Sequence, residues 1–286
     1  MQIGLIGCGN MGGGMASQII GAGYGLTCFD PSAENSAKVA AIGAQLAASA
    51  RELAALCGVI ILSLPKATIV ETVMEDMLSS LQEGTIILDT STSEPATSQA
   101  MSAKGLVGGF AFIDGPVSGG PAAANAGSMT MLLGGDGDAI ETLRPLLDIL
   151  TAKTVIVGGS GAGHAAKIAN NMLCAANLVL VSEVVRLGQA AGVRPQDLLE
   201  GINAGSGRSG VSEVNFEKWI LNDTFDSGFT MGLMRKDVGL ALGLAERSGV
   251  DISGFAQIAD IWLNTSGDID DADDFNAIVK RDPKGA

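Results

Sequence analysis

The stretch Gln2-Ile-Gly-Leu-Ile-Gly-Cys-Gly-Asn-Met-Gly12 decides the fold of this chain. Its first five residues form an apolar strand pattern, and the GxGxxG sequence that follows leads directly into a helical pattern. In that setting the first glycine permits a tight turn, the second lets a pyrophosphate approach the backbone, and the third lets helix pack on strand. The stretch predicts a dinucleotide held at the N-terminal end of a helix, with cofactor contacts at Gly7, Gly9, Asn10, Met11 and Gly12.

Asp30 closes the second predicted strand, Leu26-Thr-Cys-Phe-Asp30, 18 residues after Gly12. A carboxylate at this place accepts hydrogen bonds from the ribose hydroxyls of an adenosine and repels a 2′-phosphate. The first cation that follows is Lys38, so no arginine stands nearby to receive such a phosphate. Asp30 therefore predicts NAD as the cofactor and disfavours NADP.

Short apolar runs alternate with helical patterns through the first half of the chain, which predicts a parallel sheet with helices on both faces. Ligands of such sheets bind outside the carboxyl ends of the strands. The segment Leu62-Ser-Leu-Pro65 ends the fourth predicted strand, and Leu88-Asp-Thr-Ser-Thr92 ends the fifth. We expect Leu64, Pro65 and Thr92 to contact the nicotinamide half of the cofactor, although turn residues also collect at strand ends.

The pattern becomes helical throughout after Gly163. Residues 164 to about 191 predict one helix of roughly 40 Å that is apolar nearly all round. Such a helix must be buried, either in a helical domain or against another subunit. We expect a Rossmann-type α/β domain over residues 1–160 and an all-α domain over residues 161–286 that begins with the long helix.

Lys167 and Asn171 lie four residues apart, which places them on one face of the long helix. The preceding glycine run, Gly158–Gly163, puts Lys167 in the first two turns, where the positive end of the helix dipole disfavours an ammonium ion. An amine that takes up a proton, beside an amide that orients an alcohol, suits the oxidation of a hydroxyl group. The alternative for the lysine alone is a surface residue near a helix start.

The string Asp114-Gly-Pro-Val-Ser-Gly-Gly-Pro121 predicts a substrate site. Its hydroxyl and its exposed backbone N–H groups suit a carboxylate, and they belong to Ser118, Gly119 and Gly120. A plain loop would explain the glycines and prolines but not the whole string.

Four segments in order resemble the β-hydroxyacid dehydrogenase family, which includes 3-hydroxyisobutyrate, tartronate semialdehyde and L-threonate enzymes. They are the glycine loop with Asp30, then Asp114–Gly120, then Gly161–Asn171, and finally Met234-Arg-Lys-Asp237. The resemblance implies a Rossmann domain joined by a long helix to a helical domain. It also implies catalysis by Lys167, orientation of the substrate by Asn171, contact of Lys236 with cofactor and active site, and assembly as a homodimer or homotetramer.

We therefore expect NAD-dependent oxidation of a small 3-hydroxy acid of the 3-hydroxyisobutyrate type, or the reverse reaction as an NADH-dependent semialdehyde reductase. A hydroxy amino acid and L-threonate are further substrate candidates. Arg208 is a candidate for a second acidic group, and Glu213 for a substrate amine. His164 is the only histidine, and we favour a helix-start or packing role for it over acid–base catalysis.

Three other protein classes fit less well. The 6-phosphogluconate dehydrogenases share the fold and the lysine but are much longer, and this chain lacks an obvious basic cluster for a sugar phosphate. A non-catalytic NAD-binding regulator would be expected to lose Lys167 or Asn171. An imine reductase would be expected to have replaced Lys167.

Composition narrows the partners and the compartment. The chain has 286 residues and a formal net charge of −14, and no segment gathers Lys and Arg into a stripe, so we expect neither nucleic acid nor an anionic membrane as a partner. We expect no leader before the first strand, and no uninterrupted apolar run reaches the length of a bilayer span. Four scattered cysteines predict free thiols, no metal site and a cytoplasmic protein. They are Cys8, Cys28, Cys57 and Cys174.

Overall fold

The computed structural model describes residues 2–265 and 269–281. The chain divides into two compact units, Met1–Lys167 and Ile168–Ala286. One helix, Ala162–Ala190, begins in the first unit and continues in the second. The predicted boundary between residues 160 and 161 precedes this helix, whereas the division between the units falls inside it.

The first unit contains a mixed sheet of nine strands among its described residues, in the order β3-β2-β1-β4-β5-β6-β8-β7, with β9 paired to β8. The strands β1 to β6 are mutually parallel, which confirms the predicted Rossmann-type sheet. Their bounds are β1 (Ile3–Ile6), β2 (Leu26–Phe29), β3 (Gln45–Leu46), β4 (Val59–Leu62), β5 (Ile86–Asp89), β6 (Ala111–Asp114), β7 (Val117–Ser118), β8 (Met129–Gly134) and β9 (Thr151–Gly158).

Strand β8 runs antiparallel to β6 and β7. The connection from β7 to β8 is short and holds only a seven-residue helix, which is less than the dozen or more residues that a parallel crossover needs. The direction of the sheet therefore changes at this edge, a feature that the apolar runs of the sequence do not reveal.

Eight α-helices and a 3-10 helix (Leu78–Ser80) accompany this sheet in the described part of the first unit, and the sheet separates two buried cores. Successive strand residues point to opposite faces, so Ile61 and Leu88 lie in one core and Ile60 and Ile87 in the other. Both faces of the sheet are thus buried. The helices are α1 (Asn10–Gly21), α2 (Ala33–Ala41), α3 (Ala50–Leu56), α4 (Ala67–Met77), α5 (Pro95–Gly108), α6 (Gly120–Ala126), α7 (Gly137–Thr142) and α8 (Arg144–Leu150).

The regular secondary structure among the described residues of the second unit is helical apart from an isolated bridge between Thr230 and Asp274, as the sequence predicts. Its core surrounds Trp262, whose indole Nε1 donates a hydrogen bond to the carbonyl oxygen of Ala175 at 3.1 Å. The elements are α9 (Ala162–Ala190), α10 (Pro195–Asn203), a π-helical segment (Val211–Ile220), α11 (Met231–Ser248), α12 (Ser253–Asn264) and a 3-10 helix (Phe275–Lys280).

Helix α9 has 29 residues and is about 44 Å long. By length and composition alone it would also suffice to cross a membrane, a test that buried core helices of soluble proteins pass as well. Leu178 and Val179 on this helix are buried in the core of the second unit.

Candidate active site

The glycine loop after β1 has the shape that a dinucleotide requires. Gly7 has a φ of +91°, and a Cβ on Gly12 would overlap the carbonyl oxygen of Gly7. A Cβ on Gly9, by contrast, would meet no atom within 4 Å. Helix α1 starts at Asn10 with no side chain bonded to its N-terminus. The loop thus leaves an open space beside the free N–H groups of a helix start, where a diphosphate fits.

Asp30 follows β2 and ties the glycine loop to the next turn. Its Oδ2 accepts a hydrogen bond from the backbone N–H of Cys8 at 2.7 Å, and its Oδ1 accepts one from Ser32 N–H at 2.7 Å. Lys38, the first cation after it, is paired with Glu34 at 2.7 Å, and this partner lowers the pKa of Glu34. A 2′-phosphate would therefore meet carboxylates rather than an available cation, which fits NAD.

The strand ends predicted to contact the nicotinamide lie on neighbouring strands, since β4 pairs with β5. The backbone N–H of Leu64 donates to Ser91 Oγ at 3.0 Å and so joins the two loops. Pro65 is exposed and Thr92 half-buried. Their contact with a cofactor stays a prediction.

The predicted lysine and the predicted carboxylate site come together in the first unit. Ser118 ends β7, Gly119 is in the left-handed region with a φ of +117°, and Gly120 begins α6. Lys167 lies in the second turn of α9 and is only 6% exposed. Its Nζ donates a hydrogen bond to Ser118 Oγ at 2.7 Å, so a buried amine stands beside the hydroxyl that the sequence assigns to the substrate carboxylate.

Asn171 has its own set of partners in the second unit. Its Nδ2 donates to Asp237 Oδ2 at 2.5 Å, and its Oδ1 accepts from Asn170 Nδ2 at 3.0 Å. An ionised carboxylate only accepts hydrogen bonds, so Asp237 fixes which way the amide of Asn171 points. Lys236 Nζ lies 3.3 Å from Asp237 Oδ1. The contact of Lys236 with a cofactor stays a prediction.

Sequence reasoning did not assign this role to Asp237. The residue stands in the Lys-Asp motif, but nothing in the sequence says that its carboxylate contacts the amide of Asn171. Asp114 opens the string predicted to bind substrate, but that prediction gives its carboxylate no role of its own, and His164 is predicted only to have a helix-start or packing role. Asp114 accepts backbone hydrogen bonds from Gly161 and His164, at the start of α9.

Arg208 and Glu213 are both exposed. Arg208 has no hydrogen bond or ion pair with the residues that the structure describes, and Glu213 lies on the π-helical segment. Nearby, the hydroxyl of Ser212 donates to Asn203 Oδ1 at 2.7 Å and accepts from the N–H of Ser209 at 2.8 Å, which holds this turn together. The part of either charged residue in substrate choice stays a prediction.

Residues 2–265 and 269–281 contain no group of three or more His, Cys, Asp or Glu side chains arranged to hold a metal ion. The four cysteines are free thiols. With its Rossmann-type sheet, its open glycine loop and Asp30, the first unit defines an oxidoreductase that uses NAD.

Comparison with known families agrees with this class. Residues 2–159 match the family described as the NAD-binding domain of 6-phosphogluconate dehydrogenase. Residues 161–281 match the family described as NAD-binding of NADP-dependent 3-hydroxyisobutyrate dehydrogenase. The two matches together span nearly the whole chain.

Curated relatives are similar over most of their length. The 2-(hydroxymethyl)glutarate dehydrogenase of Eubacterium barkeri is 35% identical over 98% of this chain and 94% of its own. The NAD-dependent L-serine dehydrogenase of Pseudomonas aeruginosa is 35% identical over 86% of each chain. The structure of Mycobacterium tuberculosis 3-hydroxyisobutyrate dehydrogenase with L-serine superposes with a TM-score of 0.92, at 30% identity and 98% coverage of both chains. The chain belongs to the β-hydroxyacid dehydrogenase family, as its motifs predict, and is an NAD-dependent dehydrogenase of hydroxy acids.

Proposed function

We propose that this enzyme oxidises the hydroxyl group of a small 3-hydroxy acid of the 3-hydroxyisobutyrate type, with Lys167 as the acid–base group. The observation that carries the proposal is the 2.7 Å hydrogen bond from Lys167 Nζ to Ser118 Oγ. It supports the proposal because the amine proposed to accept a proton lies next to the hydroxyl proposed to bind a carboxylate, and a 3-hydroxy acid carries the matching hydroxyl and carboxylate.

Each residue of the proposed site has its own role in the reaction. The carboxylate of the substrate binds at Ser118, Gly119 and Gly120, while neutral Lys167 accepts the proton of the hydroxyl. Asn171, one turn further along α9, orients that hydroxyl, and Asp237 holds its amide in place. NAD, when bound, supplies the hydride acceptor. Burial of Lys167 keeps water away from the amine and fixes its position, which favours reaction.

Replacement of the lysine tests this assignment. We expect Lys167→Ala to lower kcat by about 10²- to 10⁴-fold, the usual contribution of a positioned acid–base group, with NAD affinity unchanged. Lys153→Ala, at an exposed lysine on β9, is the matched control and should retain full activity. Turnover of Lys167→Ala at the rate of the control would overturn the assignment.

The same residues serve the reverse reaction, in which protonated Lys167 gives its proton to a semialdehyde. The direction depends on the substrate, so NADH-linked reduction of tartronate semialdehyde and related semialdehydes belongs in the same screen. Absorbance of NADH measures both directions.

The candidate substrates differ in the group that they carry besides the reacting hydroxyl and its carboxylate, such as a second carboxylate or an amine. The relatives named above act on 2-(hydroxymethyl)glutarate and L-serine, so these join 3-hydroxyisobutyrate and L-threonate in the screen. Arg208→Ala should raise KM for 2-(hydroxymethyl)glutarate alone if the arginine pairs with a second carboxylate. Glu213→Ala should raise KM for L-serine alone if the glutamate pairs with an amine.

We propose a second copy of this chain as the macromolecular partner, giving a homodimer or homotetramer in the cytoplasm. Exposed leucines recur on α9 every seven residues, at Leu173, Leu180 and Leu187, with Val184 between the last two. A seven-residue repeat of apolar side chains is the pattern that one helix presents to another helix of the same sequence. It supports pairing of α9 with α9 more than insertion into lipid, which needs no such repeat.

A further inference from the structure

His164 lies three residues before Lys167 on α9, and its side chain is fully buried. The imidazole Nε2 is 2.9 Å from the carbonyl oxygen of Ser91, and Nδ1 is 2.9 Å from Ser98 Oγ. A carbonyl oxygen only accepts hydrogen bonds, so Nε2 carries a proton. The imidazole thus joins the loop after β5 and helix α5 to the first turn of α9.

The backbone of the same turn is bound to β6. Asp114, the last residue of β6, is fully buried and accepts hydrogen bonds from the N–H groups of Gly161 at 2.7 Å and His164 at 3.1 Å. A carboxylate in this place satisfies the free donors of a helix start and complements the helix dipole. Gly163 allows the close contact, since a Cβ there would lie 2.9 Å from Asp114 Oδ2.

These contacts bring together the segments that carry the site. Asp114 precedes Ser118 by four residues, so the strand that holds α9 also leads to the hydroxyl bound by Lys167. Ser91 accepts the N–H of Leu64 through its hydroxyl and the Nε2–H of His164 through its carbonyl. The loop after β5 and the end of β6 therefore bind His164 directly, and the loop after β4 is connected to it through Ser91.

The imidazole also faces two buried carboxylates. Nε2 is 3.8 Å from Asp89 Oδ2, and Nδ1 is 3.9 Å from Asp114 Oδ2. Burial raises the pKa of Asp89, and the nearby His164 and Ser91 oppose that shift. An apolar residue in place of His164 would leave Ser91 and Ser98 without their partner inside the protein, and the surrounding loops would rearrange to reach new ones.

We propose that His164 is a positioning residue of the dehydrogenase reaction, which fixes the first turn of α9 to the strand-end loops and thereby holds Lys167 Nζ against Ser118. The inference rests on the proposed role of Lys167, because it assigns His164 an effect through that amine and no contact with substrate. A displacement of about 1 Å at a reacting group can cost about 10²-fold in rate.

Three variants separate its contacts. His164→Leu removes both side-chain hydrogen bonds, His164→Gln can restore the donor to Ser91, and Ser98→Ala removes only the bond to Nδ1. We expect kcat to fall about 10- to 100-fold in His164→Leu and less than about threefold in His164→Gln, with NAD affinity unchanged in both. Ser182→Ala is the matched control, since Ser182 is buried on the same helix but bonds only within it.

The readings are kcat and KM for the hydroxy acid, NAD affinity by fluorescence, and the midpoint of thermal unfolding. A loss in kcat that Gln rescues supports positioning. Equal kcat in wild type and His164→Leu overturns it, as does a loss that follows thermal stability and appears in Ser182→Ala. If His164→Leu does not fold, Ser98→Ala decides: we expect a kcat about threefold lower, and an unchanged kcat overturns the proposal.

A spectroscopic reading does not depend on turnover. Because His164 is the only histidine, the untagged chain labelled with ¹⁵N-histidine gives one set of imidazole signals. We expect an Nε2–H signal that exchanges slowly with water, in wild type and in Lys167→Ala. A rapidly exchanging signal overturns the proposed contacts. Inactivity of wild type on every acid tested, with the protected signal present, would instead count against the proposed function.

Discussion

Ionisation of Asp89 should lower the stability of the folded protein. Its carboxyl group is completely buried, Oδ1 accepts the N–H of Ser91 at 3.0 Å, and Oδ2 has no hydrogen-bond partner within the described residues. Burial raises the pKa of Asp89 above its ordinary value. The folded protein therefore holds this proton more tightly than the unfolded chain does.

The sign of the pH effect follows from this linkage. Between the ordinary pKa of an aspartate and the raised pKa of Asp89, the folded state binds more protons, so its stability falls as pH rises. Asp89→Asn removes this dependence and keeps an acceptor for Ser91. We expect the free energy of unfolding of the variant, relative to wild type, to increase from pH 4.5 to pH 8 in urea titrations. Asp148→Asn, at an exposed position, is the control with no such trend.

A relative gain of wild type over Asp89→Asn with rising pH would show the opposite. In that case the opposing effects of His164 and Ser91 on the pKa of Asp89 would outweigh the cost of burying the carboxylate.

Single residues also mark the limit of reasoning from sequence. The spacing of Lys167 and Asn171 follows from helix geometry, and the sequence predicts both as candidates. Their contacts with Ser118 and Asp237 join positions 49 and 66 residues apart, which no local pattern encodes. The roles of Asp114 and His164 depend in the same way on which strand end meets the start of α9.

At the scale of elements, the turn between β1 and α1 contains a glycine that packing requires and a glycine that faces open space, and experiment can distinguish them. A side chain at Gly12 would overlap the Gly7 carbonyl, whereas one at Gly9 would meet nothing. We expect Gly12→Ala to lower the thermal midpoint and Gly9→Ala to leave it unchanged. Gly9→Ala should still weaken NAD binding, because the new methyl group occupies the space left for the diphosphate.

Gly13→Ala serves as the control for this pair. Its Cβ would meet the Cys8 carbonyl oxygen at 3.5 Å, an ordinary contact, and alanine suits a helix better than glycine. Stability and NAD affinity should both be retained. Wild-type NAD affinity in Gly9→Ala would contradict the placement of the diphosphate at this loop.

The elements themselves could be predicted to the extent that each carries a local pattern. Apolar runs predict the parallel strands, and the absence of Gly and Pro before Gly188 predicts one helix from 164 to about 191, observed as Ala162–Ala190. Strand β9 spans Thr151–Gly158, but no apolar run marks its start, because Thr151 and Lys153 pair with β8 without being apolar. The π-helical turn over Val211–Ile220 and the reversal at β8 arise from tertiary packing, which no local periodicity encodes.

At the scale of the whole molecule, the two units hold different candidate residues. This difference explains why the sequence makes the family clear and leaves the substrate open. The first unit holds the glycine loop and Asp30, which fit NAD, and the Lys167–Ser118 pair, which we propose for the chemistry. The second holds Asn171 and the exposed residues Arg208 and Glu213, which we propose as candidates for setting specificity. Chemistry fixes residue types at fixed spacing, whereas specificity is spread over side chains that each substrate uses differently.

The exposed leucines of α9 lead to the prediction that concerns the assembly. A lone chain would leave Leu173, Leu180 and Leu187 in water, 62%, 49% and 71% exposed, although burial of each is worth about 1.5–3 kcal/mol. Leu180→Glu should weaken association of the copies, because it places a charge in the middle of the row of exposed leucines on each copy. Light scattering after size-exclusion chromatography should show a dimer or tetramer for wild type and a smaller species for the variant. Leu106→Glu, at a leucine 89% exposed on α5, should leave the mass unchanged. A monomeric wild type, or an unchanged mass for Leu180→Glu, would show that copies do not meet at this row of leucines. Because Lys167 and Ser118 belong to one chain, kcat should survive dissociation. A fall in kcat on dissociation would mean that the contact between copies also supports α9.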